Sequence, residues 1–228
     1  VQTHPQILPY LGDSNSQYDC WGDNVSRTIS PMGVVSPHLE GITPDRTVND
    51  WLEHGAWLTD GEKVEIPEGV TAREWLADYY FKHYSEQYQV ELAEFCTQSE
   101  IMDSILYSLF PNFAPWAGFH PNLTYRMKPY GDNHKMCTME IIVLMRYPEG
   151  QERPADCQVY RLDKDQLFSE APGLEGGLGR VFDQDFSNLK MVQKGLKNLR
   201  SGEVVLANYQ EVRIRHFHQT LDKYVYGE

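Results

Sequence analysis

No stretch of this 228-residue chain is apolar for long enough to cross a membrane as a helix. The longest strongly apolar run, Ile141 to Met145, has the length of a strand. Positive charge is scarce as well: 20 Lys and Arg stand against 33 Asp and Glu, for a formal net charge of −13. No run of basic residues offsets that field, which repels phosphate backbones, so neither nucleic acid nor a membrane is an expected partner. Cysteine is limited to Cys20, Cys96, Cys137 and Cys157, far apart, with no C-x-x-C pair and no Cys–His pair at metal spacing. That excludes a disulfide scaffold or a zinc ribbon and leads us to expect four buried, reduced thiols in a cytoplasmic protein. Internal repeats, low-complexity tracts and a Pro/Gly/Ser-rich linker are missing too, so a single domain over residues 1–228 is expected. No secretory leader is read, and a chain opening on Val1 is expected to continue upstream. Without secretion, the triplets Asn24-Val-Ser26 and Asn122-Leu-Thr124 carry no meaning as glycosylation sites.

What is present is an ordinary globular composition, 41% hydrophobic and 12% aromatic. A chain of this mass is expected to bury about 72% of its unfolded surface, enough for a core without disulfides. The first 19 residues are turn-rich, and Asn24 to Val35 reads as a strand ended by Ser36-Pro37. Three helical patterns follow. Asp45 or Thr47 heads a run through Val48, Trp51, Leu52 and Trp57, and Thr71-Ala-Arg-Glu74 forms a capping box before Trp75, Leu76, Tyr79 and Tyr80. Thr97 to Leu109 repeats the helical spacing with Ile101, Ile105 and Leu109. The period then changes, and Leu109–Asn112, Leu123–Lys128, Cys137–Arg146 and Cys157–Leu162 read as strands close enough together to pair antiparallel. A Gly-rich loop, Gly173 to Gly179, leads to a helix from about Asp185 to Leu199, and a last helix spans Gln210 to Tyr226. Helices before an antiparallel sheet that ends in a long helix define an α+β domain.

Candidate chemistry is sparse. The Gly-rich loop lacks both the G-x-G-x-x-G spacing and a Lys-Ser/Thr partner, so it reads as a loop rather than a nucleotide cradle. His216 and His218 lie on a helical pattern, where residues two apart point roughly 200° away from each other and cannot share an ion. Asp183 and Asp185 sit at an expected helix start, where an acid is a cap or a favourable partner for the helix dipole. His4 would by itself be a surface histidine, and His38, His54, His83, His120 and His134 form no recognisable spacing. No Gly-x-Ser-x-Gly nucleophile signature occurs.

Several segments, in order and across nearly the whole chain, resemble the C-terminal catalytic domain of the large (α) subunit of Rieske non-haem iron ring-hydroxylating oxygenases. Val1-Gln-Thr-His4-Pro-Gln is similar to the end of that family's histidine motif. Leu109-Phe-Pro-Asn112 and Arg126-Met-Lys-Pro129 are similar to two of its sheet segments. Val181-Phe-Asp-Gln-Asp185, followed by Gln193-Lys-Gly195-Leu196, resembles the helix bearing the carboxylate ligand, and Glu211 to His218 with Leu221-Asp-Lys-Tyr224 resembles the C-terminal helix. The resemblance implies a helix-grip (Bet v 1/START-like) antiparallel sheet around a deep apolar pocket. It implies His4 as one Fe(II) ligand and Asp185, rather than Asp183, as the carboxylate, with a further histidine just before Val1. Asp183 then caps the helix. Phe113, Trp116, Phe119 and Leu189 neighbour the matching motifs and are expected to line the pocket.

The implied activity is that of an oxidoreductase, a monooxygenase or dioxygenase acting with O2 on an aromatic or similar apolar substrate, as in aromatic hydrocarbon catabolism. Two imidazoles and a carboxylate on one face of Fe(II) leave the opposite positions open, which suits O2 chemistry. Electrons would come from NAD(P)H through a reductase, with or without a ferredoxin, and a 2Fe–2S Rieske cluster. The Cys-His pairs of that cluster have no counterpart in these residues, so the Rieske domain is expected outside them. The family also implies a homotrimer, with or without a β subunit. Two other readings stand beside this one: a helix-grip domain that binds an apolar ligand without catalysis, and a scaffold subunit serving assembly.

Overall fold

The computed structural model describes residues 4–12, 15–54, 63–119, 122–155, 157–175 and 177–227. Among these, six strands form one sheet: β1 (Gln17–Trp21), β2 (Val25–Ser30), β3 (Ser104–Leu109), β4 (Phe113–Ala117), β5 (Leu123–Pro129) and β6 (Cys137–Val143). Spatial order follows chain order and every neighbouring pair is antiparallel. Most connections are tight turns. At the first, Trp21 faces Val25 and Gly22 takes a φ of 53°, a left-handed conformation that glycine adopts without a Cβ clash. The long excursion between β2 and β3 carries α1 (Pro44–His54), α2 (Ala72–Tyr88) and α3 (Gln98–Met102), and α4 (Gly177–Lys197) and α5 (Val212–Tyr226) follow the sheet. This is the α+β, helix-grip-like architecture that the resemblance implies.

Register sorts the sheet into two faces, because side chains alternate along a strand. Asp19, Arg27, Tyr107, Phe113, Arg126 and Glu140 share the outer face, where Arg27 pairs with Asp19 at 2.7 Å and Arg126 with Glu140 at 2.5 Å. The inner face carries a row that crosses the whole sheet. Cys20 faces Ser26, Ser26 faces Ser108, the β3–β4 register sets Ser108 level with Ala114, Ala114 faces Tyr125, and Tyr125 faces Ile141. Helix α5 lies over the β1–β2 end of this face. It is held there by His216 Nε2 on the Gly22 carbonyl at 2.8 Å, Lys223 on Asp23 at 2.5 Å, and Phe217 against Phe110 with centroids 5.4 Å apart. Helix α4 touches the β5 side through Phe182, whose ring stands edge-on to Tyr125 at 6.1 Å.

The main core lies between α1, α2, α3 and Phe119, and includes Val48, Leu52, Leu76, Tyr80, Tyr84 and Ile101. Both α2 and α3 begin with complete capping boxes, Thr71 with Glu74 and Thr97 with Glu100, which satisfy orphan N–H groups at each start. Asp103, 6% exposed, ends α3 and joins three elements. Its carboxylate takes Arg73 Nη1 at 2.5 Å and Nη2 at 3.1 Å, the Ser99 hydroxyl at 2.6 Å, and the Met32 backbone N–H at 3.2 Å. Burial pushes the phenols of Tyr10, Tyr80 and Tyr84 well above the usual tyrosine range.

The structure corrects several expectations. Thr97 starts a helix, but the helical spacing does not carry on to Leu109. Asp103 turns the chain extended, and Ser104–Leu109 pairs with β2 instead. Ile105 and Leu109 also fit a strand spacing, and the Asp103 ion pair selects it. Residues 110–112 form a turn rather than a strand, and Cys157–Leu162 lies outside any strand, with Val159 83% exposed, because no neighbour offers it a ladder. Strands β1 and β4 were not anticipated. The first strand of the expected set stops at Ser30, before Pro31, which has no N–H to donate. Neither Asp45 nor Thr47 caps α1: Thr43 accepts from Arg46 N, Asp45 receives Ile66 N, and the Thr47 hydroxyl donates to the Pro9 carbonyl. Trp57 lies outside the described residues. Helix α4 starts at Gly177, so part of the Gly-rich segment is helical, and Gly176 is outside the described residues. Cys20 and Cys96 are half-buried and Cys137 and Cys157 exposed, all four as free thiols, rather than four buried ones.

The chain exposes 15786 Å², where a compact monomer of this mass exposes about 10,600 Å². Part of the surplus lies on α4, which leaves large apolar side chains uncovered, such as Leu189 at 55% and Met191 at 63%. No described helix is long and apolar enough to cross a membrane.

Two outcomes follow from this packing. Asp103→Ala should lower stability by about 3 kcal/mol in chemical denaturation, because it strands the Arg73 charge and the Met32 N–H. Asp19→Ala, on the solvated outer face, should cost far less. The buried tyrosines keep their protons in the folded state while the unfolded chain loses them above about pH 10, so their contribution is intact below that pH and fades as pH rises past it. A melting temperature that falls from about pH 10 upward, with a part of the tyrosinate absorbance withheld until unfolding, is the expected record.

Candidate functional site

Two segments far apart in the chain meet at one place. The N-terminal segment is stitched to the residues after β2 by Gly12 N on the Pro31 carbonyl at 3.1 Å, a Leu11–Met32 bridge, and Ser36 N on the Leu8 carbonyl at 3.0 Å. That places His4 at the entry to a short 3-10 turn, Pro5–Ile7. Opposite it runs α4. The first turn of α4 passes so close to the loop before it that a Cβ at Gly179 would collide with the Leu174 carbonyl oxygen. Beyond it, Phe182 is buried and Asp185 lies one turn further along on the same side.

His4 Nε2 lies 2.8 Å from Asp185 Oδ1, across 181 residues of sequence. His4 Nδ1 donates to Gln184 Oε1 at 2.6 Å, and Gln6 Nε2 donates to the same oxygen at 2.9 Å. Donation at Nδ1 fixes the ring and leaves Nε2 facing the carboxylate, the orientation a histidine needs to ligate a cation. The imidazole side chain is 19% exposed and the carboxylate 49%, so the pair is open to solvent rather than in the core. Asp183, two residues earlier, points the other way. Its carboxylate accepts Phe168 N at 2.5 Å and Ser169 N at 3.4 Å. It therefore caps the 3-10 turn at Phe168–Glu170 from inside α4, and does not cap α4 itself as expected.

An aromatic wall connects this pair to the sheet. Trp116 and Tyr125 on the inner face are edge-on at 6.3 Å, Tyr125 meets Phe182, and Phe168 closes on Phe182 at 5.6 Å and on Phe186 at 4.5 Å. Burial pushes the Tyr125 phenol up, the neighbouring Trp116 indole pulls the other way, and the Asp185 carboxylate pushes it up further.

Of the residues expected at the site, the structure brings His4 and Asp185 together, sets Trp116 on the inner face, and carries Leu189 one turn beyond Asp185 on α4. Two are placed elsewhere. Phe113 faces Arg126 on the outer face and is 37% exposed. Phe119 is buried in the helical core against Tyr84 and Tyr88, with the Arg146 guanidinium 4.3 Å from its ring. Val1 to Thr3 and His120 lie outside the described residues. Gln184, Tyr125 and Phe182 were missed. Gln184 and Phe182 stand inside the quoted helix motif, so their place beside Asp185 could have been read from helix geometry. Tyr125 needed the register of β4 and β5.

The donor set is one imidazole nitrogen and one carboxylate oxygen converging on a single point, with the second ring nitrogen anchored. That chemistry fits ferrous iron as far as it goes. Among the described residues no three His, Cys, Asp or Glu side chains cluster as ligands of one ion would.

The fold and this pair define a class: an antiparallel sheet followed by helices, with an imidazole and a carboxylate brought together at the helix that meets its inner face. A family model described as the ring hydroxylating alpha subunit, catalytic domain, matches residues 35–227, and the chain belongs to that family. Asp185 falls inside the matched span and His4 before it. No curated protein and no solved structure matches.

The capping role of Asp183 has a direct test. Asp183→Ala should lower stability by about 1 kcal/mol in a thermal or urea melt, since it leaves the Phe168 and Ser169 N–H groups without an acceptor.

Proposed function

We infer that this chain is the oxygenase catalytic domain of a Rieske-type ring-hydroxylating enzyme, with His4 and Asp185 as two ligands of a mononuclear Fe(II). The family's motif supplies the third, a histidine N-terminal to Val1. The observation that supports this most is the 2.8 Å approach of His4 Nε2 to Asp185 Oδ1, two residues that only the fold brings together. When bound, iron in such a set supplies one-electron chemistry with O2 at open coordination positions.

The remaining work falls to the protein's own side chains. Gln184 holds His4 by Nδ1 so that Nε2 faces the Asp185 carboxylate. Trp116, Tyr125 and Phe182 offer an apolar wall beside the pair, against which an aromatic substrate would lie, with Leu189 one turn beyond on α4. A Rieske centre fed by a reductase would supply the electrons, and the family's threefold assembly would bring that centre in from a neighbouring subunit.

Iron per chain decides the reading. Asp185→Ala should lose iron by elemental analysis and stop substrate-dependent oxygen uptake, while Asp183→Ala keeps both. Gln184→Leu should weaken iron binding by about 10- to 100-fold without changing the melt, as loss of a partner behind a ligand does. Full iron occupancy in Asp185→Ala would sink the assignment and favour a helix-grip domain that binds an apolar ligand without catalysis.

A further inference from the structure

Five of the chain's 14 tyrosines and two of its five tryptophans stand ring against ring in the helical layer. Tyr10, from the N-terminal segment, meets Trp51 of α1 edge-on with centroids 5.0 Å apart. Trp51 meets Tyr80 of α2 at 6.2 Å, and its Nε1 donates to the Tyr80 hydroxyl at 2.5 Å. From Tyr80 the array divides along α2. One branch passes through Tyr79 at 5.7 Å to Trp75 at 5.4 Å, and the other through Tyr84 at 5.6 Å to Tyr88 at 5.9 Å. The helix dictates this order, because residues four apart lie one above the other on its face.

Packing alone does not call for these residue types. Tyr10, Tyr80 and Tyr84 are 3%, 3% and 4% exposed, and phenylalanine would fill the same space with no hydroxyl to desolvate and pair. Phenol and indole share a property that the phenyl ring lacks: each gives up one electron to a strong oxidant and can take it back intact. The two ends of the array differ in kind. Tyr10 stands six residues beyond His4 and is joined to it by two backbone hydrogen bonds in series, Ile7 N on the His4 carbonyl at 3.3 Å and Tyr10 N on the Ile7 carbonyl at 3.1 Å. At the rise of a 3-10 turn that separation is about 12 Å. Trp75 and Tyr88, at the other end, are packed on the core but half-buried, so small molecules in solution reach them.

We propose that this array is a one-electron conduit from the N-terminal segment to the surface of α2, through which an oxidant at the His4–Asp185 pair draws electrons from solution instead of attacking the residues around it. The proposal rests on the oxygenase reading for the source of the oxidant, and not for the conduit. That oxidant, left when O2 is reduced with no substrate in place, takes one electron from Trp51 by way of Tyr10. The indole becomes a radical cation, and its N–H proton stays in the hydrogen bond to Tyr80. An electron from Trp75 then refills Trp51 across the rings of Tyr80 and Tyr79. Burial holds Tyr10 and Tyr80 as phenols, so they serve as bridges and no proton has to leave the core. Trp75 releases its indole proton to water, and a small thiol returns a hydrogen atom to it and becomes a thiyl radical. The thiol has then supplied one electron to the oxidant and one proton to solvent, and the protein is unchanged.

The test first injects the oxidising equivalent without iron. A ruthenium polypyridyl photosensitiser is attached through Pro5→Cys, an exposed position of the His4 turn, in the intact chain with the exposed Cys137 and Cys157 changed to Ser. After flash oxidation, transient absorbance reports the indole radical and peptide mapping locates the oxidised side chains. With the array intact, oxidation should arrive at Trp75. Trp51→Phe, which keeps a ring against Tyr10, should abolish it there and leave it on Tyr10. Trp75→Phe alters only a half-buried ring and serves where Trp51→Phe does not fold; it should move the oxidation to Trp51 and Tyr88. Oxidation that still reaches Trp75 in Trp51→Phe would overturn the proposal. So would oxidation that follows exposure, marking Trp21, 45% exposed on β1, and sparing Trp75. A second arm treats the iron-loaded protein with hydrogen peroxide in the presence of glutathione. His4, Trp116 and Tyr125 should stay intact while thiol lasts, and Trp51→Phe should lose that protection; equal damage in the two proteins overturns the proposal. Iron held normally with no transfer from position 5 to Trp75 defeats this proposal alone. Transfer to Trp75 in a protein whose iron is indifferent to Asp185→Ala defeats the oxygenase reading and leaves the conduit standing.

Discussion

The rest of the fold hangs on the buried carboxylate of Asp103. It stops α3, turns the chain into β3, and binds Arg73 from α2 and the Met32 backbone just after β2. Met32 in turn bridges to Leu11, and the neighbouring Pro31 carbonyl receives Gly12 N, so the segment carrying His4 is registered against the sheet through the same junction. A charge buried at 6% exposure is tolerable only because each lone pair has a donor. The helical layer, the sheet edge and the N-terminal segment are therefore coupled at one point rather than packed independently.

This coupling explains how two groups so far apart in sequence come within hydrogen-bond distance. Asp185 comes from a helix whose height above the sheet is set by Phe182 on Tyr125 and by the close approach at Gly179. His4 comes from a segment with little regular structure of its own, fixed by backbone bonds and by Gln184 and Asp185. Each side is positioned by different forces, apolar packing on one and hydrogen bonding on the other. A site at their junction inherits rigidity from both without needing a loop to be stiff.

Legibility in the sequence followed the range of the interactions. Local signals were readable: the Thr71 and Thr97 capping boxes, α5 with His216 and His218 pointing away from each other, and strands β5 and β6 with their turns. The segment Thr97–Leu109 was misread because Ile101, Ile105 and Leu109 satisfy a helical period, while the decision between helix and strand was made by an arginine some thirty residues away at position 73. Strands β1 and β4 are short and carry polar or proline residues, and only their neighbours make them strands. At the site, the choice of Asp185 over Asp183 came from family resemblance, and helix geometry accounts for it, since the two carboxylates project to opposite sides. The aromatic neighbours were sorted badly for the same reason that β4 was missed. Without a strand there is no alternation, and nothing then distinguishes Phe113 on the outer face from Trp116 on the inner one. Tyr125 depends on sheet register and helix placement together, which no local pattern encodes.

The inner row has a consequence for how such a sheet could vary. Different helices meet its two ends, but the distance between those ends is ruled in units of strand spacing, about 4.8 Å each. Length along the row cannot be adjusted continuously, because adding or removing a strand would reorder the whole sheet. Variation is thereby channelled to the side chains of the inner face, where exchanging Trp116 or Tyr125 for a smaller ring or an aliphatic side chain alters the packing under Phe182 in fine steps while the ruler beneath stays the same.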